Sequence, residues 1–164
     1  VGDWTGTLIS SLNAGAKLRG VDADMLRDIA AAQTSAWTDW TPTLTNLTKG
    51  DGTQIAKYRR LGSGSIDFFW KLVLGSTSSV GTSPSITLPV AASADYSTYP
   101  PFGYGMLTDA STSARAPIVV NLTSTTTVVL QYFSALNTVA NLGAAAPWVW
   151  TTSDVLTLQG TYYP

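Results

Sequence analysis

The stretch Ser65-Ile-Asp-Phe-Phe-Trp-Lys-Leu-Val-Leu74 decides the fold. Ile66, Phe68, Trp70, Leu72 and Leu74 occupy every second position, so an extended backbone places all of them on one face. Asp67, Phe69, Lys71 and Val73 form the other, mixed face. The pattern predicts a half-buried antiparallel strand with one face on a core. Upstream, Trp37-Thr-Asp-Trp40-Thr-Pro-Thr-Leu-Thr-Asn-Leu-Thr48 opens a threonine-rich run, and Gln54-Ile-Ala-Lys-Tyr-Arg-Arg-Leu-Gly62 leads into the central stretch. Between them, Lys49-Gly-Asp-Gly52 combines glycines suited to positive φ with an aspartate suited to side-chain turns, and predicts a hairpin reversal.

Strand signals continue at regular intervals. Strands are expected over residues 41–48, 53–60, 65–74, 85–90, 103–109, 116–123, 125–133 and 155–162, separated by Ser/Thr/Gly/Pro clusters such as 75–84. Residues 91–102 and 134–148 are expected to be long loops. Short strands with turns of this kind predict a mostly β chain, a jelly-roll-like antiparallel β-sandwich. No internal repeat of about 20 to 50 residues is present, which argues against a solenoid or propeller.

Residues 1–36 read as an N-terminal adapter and helical stem, and residues 37–164 as the β head. The first part, 1–20, has no strong periodicity. Over 21–36, Asp22 suits an N-cap, Val21 and Leu26 suit a hydrophobic staple, and Asp22 and Asp24 sit at the positive end of the helix dipole. Met25, Ile29, Ala32 and Ala36 share one row, and Leu26, Ala30, Gln33 and Trp37 the next, giving a broad apolar stripe. At about two heptads such a helix is marginal alone. Two readings stand: a helix packed on its own β domain, or a short parallel bundle built on Met25, Leu26, Ile29, Ala32 and Ala36 and stabilised by the domains that follow.

Composition narrows the function. The 164 residues suit one domain with a sizeable core, and a net charge of −1 gives no reason to expect nucleic acid or an anionic membrane as partner. No apolar run approaches the ~20 residues that membrane insertion needs, and no signal-like start is seen. Beyond Leu72 the charged side chains are Asp95, Asp109, Arg115 and Asp154. A surface built from Ser, Thr and Asn instead of Lys and Glu suits an extracellular or virion setting, or one covered by sister subunits.

The chain has no Cys, His or Glu. Disulfides, thiolate chemistry, sulfur-ligated metals and a Ser-His-Asp triad are thereby excluded. No S-x-x-K spacing occurs. A glycosidase would have to use aspartate pairs such as Asp95 with Asp109 or Asp51 with Asp67, but scattered aspartates in turns read better as backbone hydrogen-bonders. No D-x-D-x-D-G calcium loop is present. No catalytic residue, metal site or cofactor is expected. Asn46-Leu-Thr48 and Asn121-Leu-Thr123 match the N-glycosylation pattern, which matters only on a eukaryotic secretory route.

Binding has more support. Tyr96-Ser-Thr-Tyr99-Pro-Pro-Phe102-Gly-Tyr104 gathers four rings in a proline-stiffened loop flanked by Asp95 and Asp109. Tyr96, Tyr99, Phe102 and Tyr104 suit stacking on sugar faces, with the two carboxylates taking sugar hydroxyls. The alternative is that the rings pin the loop to the sandwich. Pro147-Trp148-Val-Trp150 poses the same choice, with Trp150 expected to plug one end of the core. Arg59 and Arg60, next to Tyr58, could meet an acidic glycan, but they face opposite ways on a strand, so one of them is expected to pair with an aspartate across a strand or subunit boundary.

The succession Trp40-Thr-Pro-Thr-Leu-Thr, Gly50-Asp-Gly-Thr, Lys57-Tyr-Arg-Arg-Leu-Gly62 and Leu74-Gly-Ser-Thr-Ser-Ser-Val-Gly-Thr-Ser-Pro-Ser-Ile-Thr-Leu-Pro-Val90 resembles the C-terminal domains of minor tail or tail-fibre proteins of phages that infect actinobacteria. Ala16-Lys-Leu-Arg-Gly-Val-Asp-Ala-Asp-Met-Leu-Arg-Asp28 and Trp150-Thr-Thr-Ser-Asp-Val-Leu-Thr-Leu-Gln-Gly-Thr-Tyr162 extend the resemblance over nearly the whole chain. It implies a homotrimeric receptor-binding tip of the virion, joined to other tail proteins through its N-terminus and attached to a host cell-envelope glycan or surface protein. It supplies no binding residues. Two alternatives remain: a structural trimer that caps or joins a fibre, and a monomeric carbohydrate-binding module of a cell-wall hydrolase.

Overall fold

The computed structural model describes residues 36–96, 101–136 and 138–164, with backbone alone for Pro101 and Phe102. Ten antiparallel strands make up most of it: β1 Thr38–Asp39, β2 Leu44–Thr48, β3 Thr53–Arg60, β4 Ile66–Val73, β5 Ser79–Thr87, β6 Pro101–Thr108, β7 Arg115–Ser124, β8 Thr127–Ala135, β9 Thr138–Asn141 and β10 Val155–Tyr162. Among the described residues the one helical element is a short 3-10 turn, Ala94–Tyr96. The expected stem residues Met25, Leu26, Ile29 and Ala32 lie outside the described residues. Ala36 is exposed and irregular.

The strands form one continuous sheet in the order β1-β3-β4-β10-β6-β7-β8-β5-β2, with β9 pairing beside β5 on the same edge of β8. Laid flat, β1 and β2 would stand about 38 Å apart at ~4.8 Å per strand. Yet residues 40–43 alone separate them, and five Cα steps reach at most about 18 Å. The sheet must therefore curl, and it does so as a half-barrel. The turn 49–52 makes the same demand, because it joins β2 at one end of the order to β3 near the other.

That turn is not the predicted hairpin reversal, since β2 pairs with β5 and β3 with β4. Its partners explain why. Asp51 accepts hydrogen bonds from Thr77 N (2.8 Å), Thr77 Oγ1 (2.9 Å) and Ser76 Oγ (2.7 Å). Gly50, at φ +54°, lies too close to the Thr77 backbone in the β4–β5 connection to carry a Cβ, and Gly52 too close to Val73 O at the end of β4. The turn is docked on that connection and not on a flanking ladder.

Alternation on β4 does what its spacing predicts. Ile66, Phe68, Trp70 and Leu72 are fully buried, while Asp67, Phe69, Lys71 and Val73 are half-buried. Leu156, Leu158 and Tyr162 of β10, Leu107 of β6, Ile118 and Val120 of β7, Val128 and Leu130 of β8, and Ile86 of β5 join the buried side chains of β4 in the core. Phe68 sits between Trp40 and Tyr162 in edge-on contacts at 6.2 and 6.0 Å. Burial pushes the Tyr162 phenol up to about 12, and its hydroxyl donates to Val90 O at 2.7 Å. Trp148 and Trp150 pack against the core from the connection before β10, where Trp150 Nε1 donates to Gly143 O at 2.8 Å.

Strands β3 and β10 have the expected bounds, and β4, β6, β7 and β8 fall within about two residues of theirs, as sequence reasoning allows. Three differences have physical causes. β5 begins at Ser79, inside the Ser/Thr/Gly/Pro run read as a separator. Ser83 (φ 51°) there, and Asn46 (φ 53°) at the register shift of β2, adopt left-handed backbone in the middle of strands, so turn residues serve as kinks in a ladder. β9, Thr-Val-Ala-Asn, and the two-residue β1 are too short to show a period.

Candidate functional site

Antiparallel register fixes which outward side chains are neighbours. Across the outer face one row runs Asp39, Lys57, Phe69, Gln159, Tyr104, Val119, Gln131 and Asn141, each directly opposite the next. The row beside it runs Arg59, Asp67 and Thr161. A cavity of about 630 Å³ opens over both rows, lined by Trp37, Asp67, Phe69, Tyr104, Gln159 and Thr161 among others. A second of about 290 Å³ continues toward Met106 and Thr157 and shares Phe69, Tyr104 and Gln159 with the first. Together they form a trough along β4, β10 and β6.

The trough is aromatic and polar at once. Tyr104 is 62% exposed and Trp37 42%. Arg59 donates from Nε (3.0 Å) and Nη2 (2.9 Å) to Asp67 Oδ2, and its guanidinium lies 4.6 Å from the Trp37 ring centroid. Charge pairing and cation–π contact thus hold one cation and one indole in place. Thr161 Oγ1 donates to Asp67 Oδ1 at 3.3 Å, and Gln159 Nε2 donates to Tyr104 Oη at 2.7 Å. The Lys57 ammonium is held by Asp39 at 2.6 Å.

Beyond Val119 the outer face becomes an amide ladder. Asn121 Nδ2 donates to Gln131 Oε1, Gln131 Nε2 to Asn141 Oδ1 at 2.7 Å, and Asn141 Nδ2 to Ser83 Oγ at 3.0 Å. Past it, the exposed Phe133 and Val139 stand opposite one another on β8 and β9, with the exposed Leu136 beyond them.

The aromatic loop read from the sequence is divided between places. Tyr104 lies in the trough. Tyr96 packs against the core, accepts from Tyr163 N at 3.2 Å and lines a separate cavity of about 240 Å³. Tyr99 lies outside the described residues, as does the side chain of Phe102. Asp95 is exposed and hydrogen-bonded within its own turn to Ser93. Asp109 is buried at the far end of β6 from that loop, where Ser111 Oγ and Thr112 Oγ1 each donate to it at 2.7 Å. These bonds hold its carboxyl down at about 2. Asp109 and Asp95 therefore do not meet. Arg59 pairs with Asp67, across the strand boundary from β3 to β4.

Trp37, Phe69, Gln159 and Thr161 were not singled out as site residues. Phe69 had a signal: a large ring on the polar side of an alternating strand. Gln159 and Thr161 had none, since only the pairing of β10 with β4 and β6 brings them there. Among the described residues no three acidic side chains cluster to hold a metal ion. Comparison with known proteins finds no family model, no curated protein and no solved structure that matches the chain.

Proposed function

We propose that this chain is the receptor-binding tip of a phage tail fibre, a non-enzymatic virion domain that attaches to the host cell envelope. The trough carries the reading: two exposed rings, with hydroxyl and amide groups among them, on a sheet face whose flanking charges are paired. The half-barrel is read as the jelly-roll-like sandwich head, its two halves folded over one core. The resemblance to actinobacteriophage tail proteins supplies the setting. Assembly as a trimer draws support from the sparse charge beyond Leu72 and from exposed Phe133, Val139 and Leu136, apolar surface that a neighbouring copy would cover. The N-terminal stem is read as the junction to other tail proteins. Several weak sites on one trimer would gain avidity on a repeating envelope polymer.

The test is sedimentation of labelled protein with intact actinobacterial cells and purified envelopes, alongside light scattering of the free protein. Binding by a species of three chains supports the reading. A trimer that joins fibre components but binds no cells favours the structural alternative, and a monomer that binds envelopes favours the carbohydrate-binding module.

A further inference from the structure

We propose that the trough on β4, β10 and β6 binds an uncharged polysaccharide, with Tyr104, Phe69 and Trp37 as stacking surfaces. This deepens the attachment reading and rests on it for its biological setting.

The ligand class follows from charge and hydrogen-bond capacity. Arg59 is engaged by Asp67 and by the face of Trp37, and Lys57 by Asp39. Lys71, on the same outer face of β4, lines neither cavity. Within the two cavities an anionic polymer would have to break an existing pair to gain a cation, and would otherwise have to reach beyond them to Lys71, opposite Thr157, whereas a neutral one leaves both pairs intact. The polar groups that remain offer both senses of hydrogen bond. With Gln159 Nε2 given to Tyr104 Oη, Gln159 Oε1 is left as an acceptor and the Tyr104 hydroxyl keeps its own proton to donate. Thr161 Oγ1, which donates to Asp67, retains acceptor capacity. Hydroxyl groups, which donate and accept at one atom, fit such a mixed array better than a carboxylate or phosphate does.

The length of the site points to a polymer. Phe69 and Tyr104 sit two strands apart with Gln159 between them, roughly 10 Å at sheet spacing, which is more than one pyranose ring covers. The trough also continues past both residues toward Met106. Separate rings of one chain can thus stack on Tyr104 and Phe69 while their hydroxyls meet Gln159 and Thr161.

The experiment is affinity electrophoresis of the full chain in gels containing neutral polysaccharides (glucan, mannan, galactan, arabinan) or anionic ones (polygalacturonate, a poly(glycerol phosphate)). Retardation is expected in at least one neutral gel and to be unaffected by raising salt from about 0.05 to 0.5 M, a range that screens exposed charge. Tyr104→Ala should weaken it roughly 10-fold or more, while Tyr104→Phe, which keeps the ring, should retain most of it. Retardation only in anionic gels, no retardation in any neutral gel, or equal retardation of wild type and Tyr104→Ala would overturn the assignment. Cell sedimentation with the same proteins separates the two proposals. Undiminished cell binding by Tyr104→Ala leaves attachment standing and sinks this site. Tyr104-dependent retardation without cell binding does the reverse.

Discussion

The two faces of β4 are built from alternating residues of one octapeptide and obey different rules. Ile66, Phe68, Trp70 and Leu72 are fully buried and are chosen by volume. Of the residues on either side of Phe68, Asp67 bonds Arg59 and Thr161 across the sheet and Phe69 stands opposite Gln159, and both are chosen by chemistry. The inner face tolerates little change of shape because a close-packed core relaxes only in part. The outer face can change its side chains at small cost to the fold, which is what a recognition surface requires.

Trp70→Ala should break the inner face most severely, by about 3–5 kcal/mol, and urea melts of the variant would show it; a loss below 1 kcal/mol would mean that the core is not close-packed around this indole. Gly105→Ala tests how tightly β6 lies on β10. A Cβ there would stand 1.8 Å from Thr157 O, so the two strands must part, at a cost of about 1–3 kcal/mol. The change should also widen the trough and weaken ligand binding; lost stability with unchanged binding would instead show the two faces to be independent.

Acid acts on the turns, away from both faces. Hydrogen bonds from Ser111 and Thr112 hold the Asp109 carboxyl at about 2 against an ordinary 3.8, and those from Thr77 and Ser76 hold Asp51 lower still. Because these folded values are depressed, the stabilisation is present above about pH 4 and is lost as pH falls toward 2. Thermal melting points should drop across that window, and Asp51→Asn with Asp109→Asn should flatten the drop; an unchanged acid profile would assign it to other groups. Smallest of all, Tyr104→Ala and Lys57→Ala should each alter stability by no more than about 0.5 kcal/mol. A larger loss from Tyr104→Ala would mark the ring as structural.

The same contrast explains what could be read from the sequence. Core strands were legible because burial on one face writes a period of two, as in Ile66 to Leu72 and again in Leu156 and Leu158. Of the proposed trough, the sequence marked Tyr104 as a candidate and Phe69 by a large ring on the polar side of its strand. The trough's other members, from β4, β10 and the segment before β1, become neighbours through register, and register between strands distant in the chain leaves no local mark. Gly50, Asp51 and Gly52 show the limit from another side: their turn chemistry was plain, but their docking against Thr77 depends on where the β4–β5 connection happens to lie.

The place of β10 has a consequence for biosynthesis. Val155–Tyr162 is the last of the ten strands to leave a ribosome, yet it pairs with β4 on one side and β6 on the other. Until it is made, the two halves of the sheet have no ladder joining them there, and β4 and β6 each present an unsatisfied edge. The nascent chain must hold those edges apart from other chains while it waits, and the trough, whose floor includes Gln159 and Thr161, comes into being only with that final insertion.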